Sequence, residues 1–218
     1  MSNPATLRHH SRLVSSATVL AILAVTFLLS SRDSPFQWRQ RFLAGNLMAG
    51  TPFVTPYYVI GDGHGPTVLV LGGVHGDEPG AWKAAQSLVR SPPRFDGTIV
   101  VVPQANRLAD LAGIRSKPEW GDLNRLYPGS AGGLPMSAMA LDIEQLIQKY
   151  RVDGVIDLHE SWDYLANMPT QPPGGVDTAF LGQTISADDS AGSSAVARAA
   201  VAIANSGISG KDRFTYFE

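Results

Sequence analysis

Two histidines and one glutamate have the types and the spacing that a metal site requires. His75 and Glu78 lie three residues apart in the run GGVHGDEP, which begins at Gly72, and His159 lies in the run DLHE. Two imidazoles and one carboxylate are the protein ligands of many catalytic zinc sites, in which a fourth position stays open for water. We therefore predict that His75, Glu78 and His159 bind zinc. A further histidine, His64, belongs to the turn GDGHGP and is interpreted as a loop residue.

The elements that must position these residues are predicted to be strands. Residues 67–71, which precede His75, are continuously apolar, as expected for a strand that is covered on both faces. Strands that alternate with helices predict an α/β fold with a mostly parallel, mixed sheet covered by helices, in which sites lie at the carboxyl ends of strands. The predicted strands are 57–60, 67–71, 98–102, 152–158 and 214–217, and the predicted helices are 79–89, 136–150 and 193–205.

The composition excludes several functional classes. The chain has 218 residues, of which 44% are hydrophobic, and this suffices for one domain with an ordinary core. Its 17 basic and 19 acidic residues give a net charge of -2, which argues against nucleic acid as a partner. Because the chain has no cysteine, disulfides, thiolate metal sites and cysteine nucleophiles are excluded. It also lacks a Gly-x-Ser-x-Gly run, which disfavours a serine hydrolase.

Residues 1–31 are predicted to be a signal anchor or a signal peptide. Residues 13–31 carry no charge and follow the basic start between Arg8 and Arg12, the order found in export signals. At about 1.5 Å per residue this run is just long enough to span a bilayer core as a transmembrane helix. The leucines at its end are unfavourable for cleavage, which favours an anchor. We therefore expect a membrane-anchored or exported protein, with residues 32–54 as a linker and 55–218 as the domain that contains the site.

A third motif lies between the other two. The sequence from Gly121 to Gly129 is GDLNRLYPG, and Arg115 precedes it. Together with HGDE and DLH, in this order, it resembles the zinc carboxypeptidase superfamily, most closely its succinylglutamate desuccinylase/aspartoacylase family. The resemblance covers about residues 55–218. It implies a zinc-carboxypeptidase-like fold and identifies this part of the chain as a zinc hydrolase catalytic domain.

The resemblance also implies a role for each motif residue. In the family, the first motif and the Asp-Leu-His motif supply the three zinc ligands, which match the residues already singled out here. An Asn-Arg pair, matched by Asn124 and Arg125, binds the carboxylate of the substrate, and the planar guanidinium fork suits that role. An arginine upstream of this pair, matched by Arg115, polarises the scissile carbonyl group.

The general base is expected at the end of the chain. The family places a glutamate near a strand end, some sixty residues after the last zinc ligand, and Glu218 lies 59 residues after His159. Glu160 is the alternative base, although it should point to the opposite side of its strand from His159. Asp122 and Asp157 are expected to support ligands or turns rather than to bind zinc. Because family members usually continue with a β-rich segment, the domain is expected to be truncated at its C-terminus.

These expectations favour a zinc hydrolase that cleaves an amide bond next to a free carboxylate. An N-acyl amino acid deacylase is the first choice, since the motifs are closest to that branch. The alternative is a metallocarboxypeptidase that acts on peptides, possibly cell-wall peptides, and an exported location favours it. A third reading is a membrane-tethered binding module without catalysis. In each case the partner is a small molecule or peptide that bears a carboxylate.

Overall fold

A five-stranded sheet forms the centre of the computed structural model of this chain. The structure describes residues 43–61, 63–161 and 183–217. The spatial order of the strands is β1-β2-β4-β3-β5. Their bounds are Leu43–Leu47 for β1, Thr55–Gly61 for β2, Thr67–Leu71 for β3, Thr98–Val102 for β4 and Gly154–Asp157 for β5.

Most strands of this sheet point in one direction. β3 pairs in parallel with both β4 and β5, whereas β2 is antiparallel to β4 and β1 is antiparallel to β2. Only β2 therefore opposes the other four strands. Every residue of β4, with the sequence TIVVV, is buried, which agrees with a strand covered on both faces. The prediction of a mixed, mostly parallel sheet is confirmed.

Helices cover both faces of the sheet. Helix α1 (Pro79–Arg90) packs on one face, and α3 (Pro135–Tyr150) packs on the other. Side chains of β4 alternate between the two layers, because successive residues of a strand point to opposite faces. Ile99 and Val101 join the α1 side, and Val100 and Val102 join the α3 side. From the helices, Ala81, Ala84, Ala85 and Leu88 of α1 and Met136, Met139, Ile143 and Leu146 of α3 enter these two core layers.

A second, smaller sheet forms in the last part of the chain. Strands β6 (Thr184–Ser186) and β7 (Thr215–Phe217) pair in parallel. The connection between them consists of helix α4 (Ala191–Ala204) and the 3-10 turns that follow it. The predicted strand 214–217 and helix 193–205 correspond to β7 and α4. β6 was not predicted, since three residues with the sequence TIS carry no periodic pattern.

Two expectations about the start of the chain have different outcomes. The predicted linker, residues 32–54, contains β1, which pairs with β2 along its whole length, from Leu43 opposite Val59 to Leu47 opposite Thr55. The central sheet thus includes residues that were expected to form only a linker before the domain.

The predicted signal or transmembrane helix, residues 13–31, lies outside the described residues. Among the helices that the structure does describe, none is long and apolar enough to cross a membrane.

Candidate metal centre

The sheet brings the two histidine motifs to the same edge. β3 and β5 are neighbours, and Leu71, the last residue of β3, pairs with Asp157, the last residue of β5. His75 lies four residues beyond the end of β3, and His159 lies two residues beyond the end of β5. Because parallel strands end at the same edge, both motifs extend from neighbouring positions, and their side chains can meet.

His75, Glu78 and His159 converge on one point. Nδ1 of His75 lies 2.7 Å from one carboxylate oxygen of Glu78, and Nδ1 of His159 lies 2.8 Å from the other. The two imidazole rings are 4.9 Å apart between centroids. One ligand atom from each of the three residues lies within 4.8 Å of the others, a spacing that a single metal ion can bridge. His75 and Glu78 are buried, and His159 is partly open to solvent.

Glycines shape the loop that presents His75. Gly73 has a φ of +65°, in the left-handed region that residues with a side chain rarely adopt, and it turns the chain sharply after β3. Gly76 lies against the short helix α2 (Arg107–Ala112), where an added Cβ would come 2.0 Å from the carbonyl carbon of Ala109. Only a residue without a side chain permits this approach. The HGDE motif therefore needs its glycine for packing, while its histidine and glutamate point to the candidate site.

Each histidine has a second carboxylate behind it. Nε2 of His75 lies 3.1 Å from Asp122, and Nε2 of His159 lies 3.2 Å from Asp157. Metal-binding histidines commonly donate their other ring N–H to a carboxylate, which fixes the ring and its tautomer. The spacing of Asp157 and His159, two residues apart near a strand end, is a sequence signal for this contact. The contact of Asp122 with His75 joins residues 47 apart, and no local pattern predicts it.

The electrostatics of the group reflect these contacts. Burial alone raises the pKa of Glu78, but hydrogen bonds from His159 and His75 outweigh it and lower the pKa to about 2. Burial disfavours the charged form of His159, yet hydrogen bonds to Asp157 and Glu78 raise its pKa to about 10. Without a metal, Glu78 and His159 thus form a carboxylate–imidazolium pair. A divalent cation can replace the proton of that pair.

The donor set fits zinc. Two imidazole nitrogens and one carboxylate are the combination found in catalytic zinc sites, and softer thiolate ligands are excluded because the chain has no cysteine. Among the described residues, only His75, Glu78 and His159 form so compact a group of three or more potential metal ligands. The structure thus brings together all three residues that the sequence predicts as ligands. Their role in binding zinc stays a prediction.

Arg115 contacts the centre through Asp122. Its Nε and Nη2 donate to the same oxygen of Asp122 at 3.2 and 2.9 Å, and the other oxygen of Asp122 faces His75. Burial raises the pKa of Asp122, but the hydrogen bond from Arg115 helps to hold it below its ordinary value. The backbone carbonyl of Arg115 also accepts a hydrogen bond from Gly76. Arg115 is therefore adjacent to the predicted ligands, with about half of its side chain exposed.

Asn124 and Arg125 lie close in sequence to this contact but point to solvent. Both belong to a 3-10 turn, Leu123–Arg125, which Asp122 caps by accepting a hydrogen bond from the backbone N–H of Asn124. Arg125 donates through Nη1 to the carbonyl oxygen of Asn124, and both residues are exposed. The turn thus holds the pair beside the centre, while the contacts described for Arg125 are local ones.

The two candidates for the general base have different positions. Glu218 lies outside the described residues. Glu160 follows His159, and its side chain accepts a hydrogen bond from the backbone N–H of Gly80, at the start of α1. Its own N–H donates to Glu78 at 3.1 Å. Because β5 ends at Asp157, the alternation of a strand does not govern where Glu160 points.

The fold and the site define the class of this protein. A mostly parallel sheet covered on both faces holds a candidate metal centre of two histidines and a glutamate at its carboxyl edge. Residues 64–171 match the model of the succinylglutamate desuccinylase/aspartoacylase catalytic domain. The chain belongs to this family, within the zinc carboxypeptidase-like superfamily, and the resemblance seen in the sequence is confirmed.

Individual relatives agree with this assignment. Over 117 residues the chain is 36% identical to the N-α-acetyl-L-2,4-diaminobutyric acid deacetylase of Halomonas elongata, covering 52% of this chain and 34% of that protein. An aspartoacylase family protein from Mesorhizobium loti is 26% identical, with a TM-score of 0.53, over 71% of this chain and 50% of that one. A variant of the cell shape determinant Csd4 from Helicobacter pylori is 26% identical, with a TM-score of 0.56, over 69% of this chain and 37% of that one. The chain thus spans about a third to a half of these relatives.

Proposed function

We propose that this protein is a zinc-dependent hydrolase that removes the acyl group from N-acyl amino acids, next to a free carboxylate. The observation that carries the proposal is the convergence of His75 and His159 on Glu78, with a second carboxylate behind each ring. Membership of the family and the likeness to a deacetylase support the choice of reaction.

The chain's own residues would prepare the site for the metal. Zinc, when bound, supplies the Lewis acid that amide hydrolysis at neutral pH requires. Glu78 and Nδ1 of each imidazole would hold the ion. Asp122 and Asp157 keep a proton on Nε2 of their histidines, so that the Nδ1 lone pair is free for the metal. Both rings are thereby oriented before the metal and the substrate arrive.

The substrate would be bound by the segment that follows α2. Arg115, held beside His75 by Asp122, is the proposed donor to the carbonyl oxygen of the scissile amide, where negative charge develops during attack. Arg125 and Asn124, exposed on the neighbouring turn, are the proposed partners of the free carboxylate of the substrate. Glu218 remains the proposed base, and Glu160 is the carboxylate to test next.

The test is an activity assay with a metal readout. The full chain is loaded with zinc and incubated with N-acetyl and N-succinyl amino acids, each as the free acid and as the C-terminal amide, and the released amine is quantified. We expect cleavage of the free acids, with much slower cleavage of the amides because Arg125 would lose its partner. His75→Ala should lose bound zinc and turnover together. The matched control, His64→Ala, changes a histidine that precedes β3, at the opposite edge of the sheet.

Two results would contradict the proposal. One is a zinc-loaded protein that cleaves none of the acyl amino acids, and the other is a His75→Ala variant that retains turnover. Equal rates on free acids and amides would contradict only the role of Arg125. Peptides with a free C-terminus belong in the same panel, because the sequence leaves a carboxypeptidase open. Preferential cleavage of these peptides would identify the reaction as that of a peptidase.

The location of the protein is a separate proposal. Residues 13–31, an uncharged apolar run after a basic start, support membrane anchoring or export. Fusion of residues 1–54 to a reporter that is active only after export tests this directly. Reporter activity in the membrane fraction would indicate an anchor, activity in the exported soluble fraction would indicate a cleaved signal, and an inactive reporter would contradict both.

A further inference from the structure

A cavity of about 400 Å³ adjoins the candidate metal centre. Gly76 and Asp77, which lie between two of the predicted ligands, form part of its wall, and so do Glu160 and Ser161, which follow the third. Trp82 of α1 and Asp110 of α2 contribute the remaining polar side chains. A molecule held in this cavity would therefore lie next to the residues that are proposed to bind zinc.

The cavity is surrounded by polar atoms that have no partner. Among the described residues, the buried side-chain nitrogen and oxygen atoms without a hydrogen bond belong to Asp77, Trp82, Asp110 and Ser161, and all four residues line this cavity. Neither carboxyl oxygen of Asp110 has a hydrogen bond of ordinary geometry, although the side chain of Gln104 lies near enough to oppose the rise of its pKa. A buried polar group without a partner is costly, and most such groups in folded proteins are paired. Their concentration around one cavity points to a ligand that supplies the missing bonds.

The unpaired atoms specify the chemistry of that ligand. When both carboxyl groups are ionised, Asp77 and Asp110 present three acceptor oxygens, Ser161 can accept or donate, and the indole N–H of Trp82 is the one atom that can only donate. A complementary ligand must therefore donate more hydrogen bonds than it accepts and should carry a positive charge. A primary ammonium group, with three N–H donors and no acceptor, meets both conditions.

Two other ligands fit less well. A second metal ion needs a compact set of ligands, but within the described part of the chain such a set is confined to His75, Glu78 and His159. An anion at the start of α1 is disfavoured because the carboxylate of Glu160 already accepts the N–H of Gly80. The remaining acidic groups would repel an anion as well.

The electrostatics of Asp110 agree with a cationic ligand. Burial raises the pKa of this carboxyl group to about 8, so that it is mostly protonated at neutral pH while no cation is near. An ammonium group beside it would lower the pKa and restore the carboxylate, because an opposite charge favours the ionised form. The binding of a cation would thus form a buried ion pair.

We propose that this cavity binds the positively charged amine of the substrate side chain, so that the protein prefers acylated diamino acids over acylated neutral amino acids. The inference rests on the proposed deacylase function, because it assigns the cavity to the substrate of that same site. It goes further by naming Asp77 and Asp110 as the residues that determine specificity.

The test compares two substrates that differ in one group. N-α-acetyl-L-ornithine and N-α-acetyl-L-norleucine have side chains of the same length, which end in an ammonium and a methyl group. The zinc-loaded full chain should cleave the ornithine compound with a kcat/KM about ten- to a hundredfold higher, the range expected for a charge-assisted hydrogen bond. Asp110→Asn should remove most of this ratio. Asp96→Asn, at an exposed site before β4 and so at the opposite edge of the sheet, should leave the ratio unchanged.

The outcomes separate this inference from the proposed function. If wild type has no preference, or if Asp110→Asn retains it, the cavity does not select the amine. Should Asp110→Asn fail to fold, as judged by circular dichroism, Asp77→Asn provides the same comparison. If neither these compounds nor any other acyl amino acid of the panel is cleaved, the proposed function is wrong, and calorimetric titration of the full chain with L-ornithine and L-norleucine tests the cavity alone. Binding of ornithine only, lost in Asp110→Asn, would support it, and equal or no binding would overturn it.

Discussion

Asp122 is the residue through which the proposed metal site is most simply tested. One of its oxygens lies 3.1 Å from Nε2 of His75, and the other accepts two hydrogen bonds from Arg115. Replacement by asparagine keeps the size of the side chain but removes the negative charge that orients the imidazole. We expect the Asp122→Asn variant to fold and to bind zinc more weakly.

The expected loss follows from the number of contacts. Only one hydrogen bond joins Asp122 to a predicted ligand, and a bond to a charged group contributes about 1.5–3 kcal/mol. Since each tenfold change in affinity corresponds to about 1.4 kcal/mol, this predicts a loss of roughly ten- to a hundredfold. The same range is typical when the outer partner of a metal-binding histidine is replaced.

Competition with a coloured chelator of known affinity measures this effect in the full chain. The matched control is Asp153→Asn, which also removes a hydrogen-bonded carboxylate, but one that accepts from the backbone N–H of Thr67 at the opposite edge of the sheet. Wild-type affinity in Asp122→Asn would refute the orienting role. An equal loss in both variants would attribute the effect to the fold instead of the site.

Three further predictions follow from single positions. Gly76→Ala should lower the free energy of unfolding by about 1–3 kcal/mol in a urea titration, because its methyl group would meet the backbone at Ala109, whereas Gly132→Ala, with nothing near its Cβ, should change it little. In the metal-free protein, the raised pKa of Asp110 means that the folded state binds the proton more tightly, so stability should fall as pH rises from about 4 to about 8. Asp110→Asn should flatten this pH dependence, and an unchanged profile would contradict the assignment. Zinc binding at neutral pH should release about one proton from His159, whose pKa is about 10, as shown by calorimetry in buffers of different ionisation enthalpy.

The meeting of His75, Glu78 and His159 could be predicted from the sequence. β3 is a continuously apolar run that ends before His75, and the last predicted strand of the central sheet ends near His159. The rule that parallel strands place their sites at their carboxyl ends then brings the two motifs to one edge. It does not specify which strands are neighbours. The pairing of Leu71 with Asp157, which makes the contact possible, is a property of the whole sheet.

Other features escaped prediction because they depend on distant partners. β1 has the sequence LAGNL, without an alternating pattern, and it becomes a strand by pairing with β2. Helix α2 has six residues, too few for a periodic signal, yet Asn106 caps it and Gly76 packs against it. The cavity next to the candidate metal centre combines side chains from α1, α2 and the loop after β5, and no single segment reveals it.

Glu78 and Glu160 show how the proposed metal site affects the rest of the fold. Glu78 occupies the N-cap position of α1, where a side chain would ordinarily accept a backbone N–H of the first turn, but its carboxylate contacts the two histidines instead. Glu160 accepts the N–H of Gly80 in its place, so a residue next to one predicted ligand satisfies the helix that begins after another. This contact gives Glu160 a structural role whether or not it also acts as a base. A loss of activity in Glu160→Gln would therefore indicate a base only if zinc affinity and stability stayed at their wild-type values.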